Sequence, residues 1–415
     1  MAYSYMINGV GRLSIPTKVC NQEGYTEQEN DKGFKSRKLY VDIYANGSRN
    51  TLEVFGGYNT STLIYLRDYK NKENFQIPFS ERGQKKHIDR AAIWNKKIID
   101  LEKPNRRYAL TNLLQSVKDG KPARSKDLVD AGYTDTPTEK ELEWAIETSN
   151  KLRKEYLHNW DFIAALKKVL DSEKYKNQKF KIAGEMTAQY DKENQRWYSK
   201  YSLNRVYLAD ENEKEFCELS VDFLYGADSL DISDVEESGK YRINGWVQIR
   251  DTYSKTEQPM DFQITLMDNH ETERDKKATQ IRLKRFKLDR DELGDSICKL
   301  GIVLEMKNGS DVRQITEDDL TEEQKDAIFC GDITLEEIRK ELNGSIRGEW
   351  VSEYRFSKLM RGYSNGYEET VWSISDMEIN FADEIEIEDL TDVNEEDDDI
   401  DLDFGDEDDL FKGMD

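Results

Sequence analysis

The chain has 415 residues, with 37% hydrophobic and 35% charged side chains, a mean hydropathy of -0.86 and a formal net charge of -24. That is enough apolar material for two or three domains with real cores, which excludes a chain disordered throughout; the charge taken alone argues against a nucleic-acid ligand. No run approaches the ~20 consecutive apolar residues of a spanning helix.

The cysteines, Cys20, Cys217, Cys298 and Cys330, have no CxxC spacing for zinc or a disulfide framework. The start, MAYSYMINGVGRL, has neither a charged n-region nor a long apolar core. A soluble protein of a reducing cytoplasm is expected, with no membrane partner; if a phage encodes it, that is the host cytoplasm.

Charge is unevenly spread. Residues 383–415 hold 18 Asp or Glu against one Lys, a net of -17, which leaves only -7 for residues 1–382. From Arg82 to Lys126 there are 13 basic against 4 acidic residues, and from Arg274 to Arg290 there are 8 against 2. Two basic blocks therefore sit inside an acidic chain.

In chain order, Tyr3–Ser14, Arg37–Tyr44 and Thr51–Phe55 read as strands, the last two joined across Ala45-Asn46-Gly47-Ser48. Side chains alternate with period two, so Leu39, Val41 and Ile43 form a core face. Lys38, Tyr40, Asp42 and Tyr44 form the other, and a simple hairpin register puts Phe55 on the Tyr44 side. From about Lys118 the spacing turns helical: Thr138-Glu139-Lys140-Glu141 is a capping box ahead of Leu142, Ala145, Ile146, Ser149 and Leu152. A second helix is expected over Asp161–Ser172.

Strands resume near Lys179 with FKIAGEM, then Arg196–Leu208, Glu215–Leu224, KYRINGWVQIRD and MDFQITLMD. These five resemble an oligonucleotide-binding (OB) barrel, and the first hundred residues lay over them as a weak duplication. The expected fold is mainly β with helical insertions (α+β). Its parts are a first OB-like barrel with a basic extension (1–117), a helical connector (118–175) and a second OB-like barrel (176–270). A mixed α/β region (271–381) and a disordered acidic tail (382–415) complete it. In the mixed region Thr334-Leu335-Glu336-Glu337 is a further capping box, its helix ending at Asn343-Gly344.

Enzyme chemistry is scarce, so no enzyme and no cofactor is expected. His87, His158 and His270 are isolated, without HxH, HExxH or Cys/His spacing, and neither a GxxxxGK[ST] nor a strand-anchored GxGxxG loop occurs. Asp399, Asp401 and Asp403 have calcium-loop spacing. The glycine, however, comes one place late at Gly405 and Leu410 stands where the bidentate glutamate belongs, so no metal is expected.

Binding of single strands needs cations for phosphates and exposed rings on which bases stack. Candidates on or beside the first barrel are Lys35, Lys38, Tyr40, Tyr44, Phe55 and Tyr58, with Lys85, Lys86, Lys96, Lys97, Arg106, Arg107 and Tyr108 as neighbouring charge. In the second unit Arg196, Trp197, Tyr198, Lys200, Tyr201 and Arg205 interleave ring and charge. Sheet packing and solvated charge are the bland readings of the same residues.

The tail is too charged to collapse, yet it carries Leu402, Phe404, Leu410, Phe411 and Met414 among its acids. Asp406, Glu407, Asp408, Asp409, Leu410 and Phe411 make a hydrophobic tip on an anionic segment, suited to a basic-rimmed apolar pocket on a partner. Barrels followed by such a tail resemble the single-stranded-DNA-binding proteins of bacteria and bacteriophages. In those the phenylalanine ends the chain, whereas here Lys412-Gly413-Met414-Asp415 follows.

The resemblance implies sequence-independent binding and protection of single-stranded DNA in replication, recombination or repair. It also implies a tail that recruits replication proteins and competes with DNA. Rival expectations are an anti-host or DNA-mimic factor, or a replication accessory nuclease. Oligomeric state is not legible.

Overall fold

A computed structural model describes residues 5–192, 194–233, 235–250, 257–268, 272–314, 320–335, 337–338, 345–363 and 366–377. The tail, with Asp406, Glu407, Asp408, Asp409, Leu410 and Phe411, lies outside the described residues, as do His270 and the helix end expected at Asn343-Gly344. The fold is mainly β with helices, and most of its strands join in one large sheet.

The first ring begins with β1 (Tyr5–Ser14), β2 (Lys35–Ala45) and β3 (Ser48–Tyr58). Asn46 and Gly47 join β2 to β3 with both φ positive, 47° and 69°, the two-residue turn that suits a twisted hairpin. The register sets Leu39 opposite Val54 and Val41 opposite Leu52, and all four are buried with Ile43, as their alternation predicts.

The other strands are β4 (Lys179–Asp191) and β5 (Arg196–Leu208). Both β2 and β4 run antiparallel to β1, β5 runs antiparallel to β4, and β5 meets β3 in parallel at Ser202 and Glu53. The order 1-2-3-5-4 thus returns to its first strand.

This corrects the grouping of strands. The segments from Lys179 and Arg196, expected to open the second unit, complete the first ring instead, so the helical region is an insertion into that ring rather than a link between two. Alternation fixes which face of a strand is apolar, but it does not choose the partner.

The insertion carries a hairpin, Leu63–Arg67 with Asn74–Pro78, and the strand Lys97–Asp100, which extends the sheet beside β5. After a short helix at Lys85–Arg90 come α1 (Arg106–Lys118), α2 (Ser125–Ala131) and α3 (Glu139–Lys151). They bury Leu110, Leu113, Leu142 and Ala145 among themselves, and the Thr138–Glu141 capping box is formed. The helical run starts at Arg106, ahead of the expected Lys118. Then α4 (Asn159–Leu170) returns to the ring and buries Phe162, Ile163 and Leu166 in its core.

The second ring repeats the order with β6 (Phe216–Tyr225), β7 (Lys240–Arg250), β8 (Glu257–Met267), β9 (Ser296–Gln314) and β10 (Ser345–Leu359). The strand β6 pairs antiparallel with β7 and β9, and β7 with β8. The strand β10 runs antiparallel to β9 and closes onto β8 in parallel at Thr265 and Arg355. Between β8 and β9 lies α5 (Glu273–Phe286), which buries Thr279, Leu283 and Phe286. The strands Ser296–Gln314 and Ser345–Leu359 are thus part of this ring, not of a separate mixed region.

The rings are fused. Strands β1 and β6 pair antiparallel from Tyr5 opposite Val221 to Val10 opposite Phe216, and one apolar cluster spans both rings. The β9–β10 hairpin also reaches the β2–β3 turn. There Asn50 Nδ2 donates to Met306 O at 3.0 Å and Asn308 Nδ2 to Arg49 O at 2.8 Å. Gly309 passes so close to Gly47 that a Cβ would stand 2.4 Å from its carbonyl oxygen.

Candidate nucleic-acid interface

The outer face of β2 and β3 carries Lys38, Tyr40, Asp42 and Tyr44 against Phe55, Glu53, Thr51 and Arg49 in cross-strand register. Phe55 therefore shares a face with Tyr44, and both rings are open to solvent, 47% and 39% exposed. The charges between them are paired. Lys38 Nζ lies 3.3 Å from Glu53 and donates to Tyr40 Oη at 3.1 Å; although burial opposes it, these partners hold the ammonium above its usual pKa. Tyr40 Oη donates to Gln22 Oε1 at 3.0 Å, and Lys35 lies 3.4 Å from Glu29.

Asp42, expected on the open face, is fully buried beneath Arg49 and Thr51, which donate to it at 2.7 and 2.6 Å. A carboxylate leaves water when donors replace its hydration.

Several candidates from the basic block are structural. Lys96 is almost buried and lies 3.1 Å from Glu155. Lys97 Nζ donates to Asn204 Oδ1 at 2.6 Å, and burial pushes its pKa down. Arg106 pairs with Glu102 at 3.1 Å, and Arg107 donates twice to Asp100 and once to Ser149 O. Open to solvent are Lys85 and Lys86, which lie 2.6 Å from Asp89 and 3.9 Å from Glu81, and Tyr108, 68% exposed. Tyr58 is no platform: its ring stacks on Phe79 at 3.8 Å and meets the edge of Trp160 at 4.8 Å.

On β5, Arg196 lies 4.4 Å over the exposed ring of Tyr198, and Lys200 is exposed. Trp197 packs on the core and against Tyr190. The hydroxyl of Tyr201 meets that of Tyr354 between the rings, and burial raises its pKa. Arg205 Nη2 donates to Ile93 O at 3.3 Å. Alternation divides Trp197 and Tyr201 from Arg196, Tyr198 and Lys200, but it does not say which of the two faces packs on the ring and which projects.

Two features escaped the sequence reading. In the insertion, Tyr65 and Tyr69 are about 60% exposed, and Lys72 Nζ lies 5.3 Å from the Tyr69 ring and 5.8 Å from that of Trp94; the alternation of Leu63-Ile64-Tyr65-Leu66 was its signal. In the second ring, a groove of about 560 Å³ opens on the outer face of β7 and β8, lined by Asn244, Trp246, Asp261, Gln263, Ser229 and Ile374 among others. Alternation along KYRINGWVQIRD carried that signal. Among the described residues, no cluster of His, Cys, Asp or Glu could hold a metal ion, and no helix is long and apolar enough to cross a membrane.

No family model matches the chain, and no curated protein matches it. Among solved structures it is similar to the wild-type single-stranded DNA binding protein from Thermus aquaticus. The TM-score is 0.26 and the identity 6%, over 74% of this chain and 87% of that one. A deletion mutant of the same protein gives 0.25 and 7% over the same shares. Values this low do not fix the path of the strands, which rests on the pairings above.

Proposed function

We propose that the two rings are oligonucleotide-binding barrels and that the chain binds single-stranded DNA with little sequence preference. One observation carries the reading: each ring closes in the order 1-2-3-5-4, with its third and fifth strands parallel and a helix between its third and fourth. Barrels of that kind take oligonucleotides on the face of strands 2 and 3 and the adjoining loops. Here that face holds Tyr44 and Phe55 in one ring and Trp246 in the other. Exposed rings stack on any base, and Lys85, Lys86, Arg196 and Lys200 supply charge for phosphates.

The acidic segment 383–415 completes the proposal. Its charge of -17 competes with DNA for the cationic surfaces, and once displaced its Leu410-Phe411 tip recruits replication or recombination proteins. Tethering supports even a weak contact, since a flexible linker of suitable span gives an effective concentration in about the millimolar range.

Titration of labelled oligo(dT) and of duplex at two salt concentrations tests the reading. The single strand binds more tightly, and its log affinity falls steeply with log salt as counterions are released. Equal affinity for duplex, or indifference to salt, defeats it. Deleting residues 383–415 raises affinity most at low salt; no change there removes the competition.

A further inference from the structure

We infer that the groove on the second ring is a base-selective subsite that takes one guanine of the bound strand, its Watson–Crick edge against Asp261 and its ring on Trp246. The inference rests on the single-strand reading and adds a ligand class for one site. Asp261 stands opposite Trp246 across β7 and β8, and Asn244 opposite Gln263 one pair further along the same face. All four side chains line the groove, whose volume suits a small-molecule ligand. Trp246 is half-buried, one side packed in the apolar cluster of Leu224 and Ile297, so its ring is held as a platform.

The polar groups decide what can enter. Gln263 Nε2 donates to Asn244 Oδ1 at 2.8 Å, which leaves both amide N–H donors of Asn244, and the second N–H and the carbonyl oxygen of Gln263, to meet a ligand. Asp261 is exposed and makes no ion pair or hydrogen bond among the described residues. An ionised carboxylate only accepts, so it repels a phosphate and demands N–H groups. Guanine presents two adjacent donors, N1–H and N2–H, matched to the two carboxylate oxygens. Its O6 lies beside them, within the reach of an amide donor such as that of Asn244. Thymine offers one N–H between two carbonyls, while adenine and cytosine set a ring acceptor next to their amino group. Unpaired bases are read on this edge when stacked on an aromatic side chain.

Fluorescence anisotropy of the full chain with oligo(dT), and with the same strand carrying a single central dG, dA or dC, tests the assignment. The dG strand is expected to bind at least fivefold more tightly than the others. Asp261→Asn should abolish that preference by weakening the dG strand relative to oligo(dT), without lowering oligo(dT) affinity or the melting temperature, because the exposed side chain keeps its shape and loses a charge that repels phosphate. Trp246→Ala should weaken the dG strand most.

Equal affinity for all four strands, a preference for dA or dC, or a dG preference that survives Asp261→Asn would each overturn the subsite while leaving single-strand binding intact. Absence of binding to any strand would instead overturn the reading on which it rests.

Discussion

The two rings share one strand order yet present different faces. The first keeps a charged face and neutralises it from within: Asp42 with Arg49, Lys38 with Glu53, leaving Tyr44 and Phe55 as its open groups. The second has an amide pair, a tryptophan and an unpaired carboxylate around a groove. They also differ in the connection between third and fourth strands, residues 59–178 in one and 268–295 in the other. Topology sets where a ligand surface lies, and the side chains at alternate positions set what it accepts.

The largest expected effect tests whether the rings are separate at all. Phe223 is fully buried in the cluster that spans both, so Phe223→Ala should cost about 3–5 kcal/mol and lower the stability of the two rings together. Urea denaturation should remain a single transition. If only one ring melts early, the shared core is not energetically shared.

The helix caps separate the rings by pH. His158 caps α4, its Nδ1 accepting from Trp160 N at 3.1 Å, whereas Thr272, which does not titrate, caps α5 by accepting from Asp275 N at 3.1 Å. Burial, with Arg82 and Lys97 nearby and Asp161 opposing them, pushes the His158 pKa down from 6.5 to about 4. The imidazole is therefore neutral in both states above pH 6.5, and its contribution is intact there. As pH falls from 6.5 towards 4, the unfolded chain takes up the proton first, and about 2–3 kcal/mol is lost, allowing for partial exposure. His158→Asn keeps a capping side chain and should flatten stability over that window. An unchanged pH profile would place the acid sensitivity elsewhere.

Stacking comes next. Tyr44→Ala and Phe55→Ala should each weaken oligo(dT) binding by about 1–3 kcal/mol with little change in melting temperature. Tyr58→Ala should do the reverse, because its ring is packed between Phe79 and Trp160. Equal binding losses in all three would mean that burial does not sort the aromatics of the first ring.

Local rules made much of the fold legible. The β2 and β3 core faces, the Phe55 side and the capping box at Thr138 all follow from spacing between neighbours. Closure was not legible, because β5 finds β3 across about 150 residues and only through one parallel contact. For the same reason Lys96, Lys97, Arg106 and Arg107 read as free charge: their carboxylate and amide partners come from other elements, or sit a helical turn away where a sequence shows no orientation. The groove was not legible because Asn244, Trp246, Asp261 and Gln263 carry no net positive charge and meet only when β7 and β8 pair.

The smallest expected effect asks which ring's basic block meets the phosphates. Lys85 and Lys86 project from the insertion of the first ring, and Lys276 and Lys277 from α5 of the second; all four are exposed. Every phosphate contact contributes about 0.7 to the slope of log affinity against log salt for a single strand. Lys85→Gln with Lys86→Gln should therefore lower that slope by about 1.4 if both touch the strand, and Lys276→Gln with Lys277→Gln by as much if the path also crosses α5. Exposed lysines contribute little to stability, so melting temperature stays level in both pairs. Lys97→Gln is the control within the same block: its ammonium is buried against Asn204, so it should change stability and leave the slope alone. A reduced slope for Lys97→Gln equal to that of the Lys85 and Lys86 pair would mean that the block acts through net charge rather than through contacts. The division between structural and open cations in the first ring would then have no bearing on DNA.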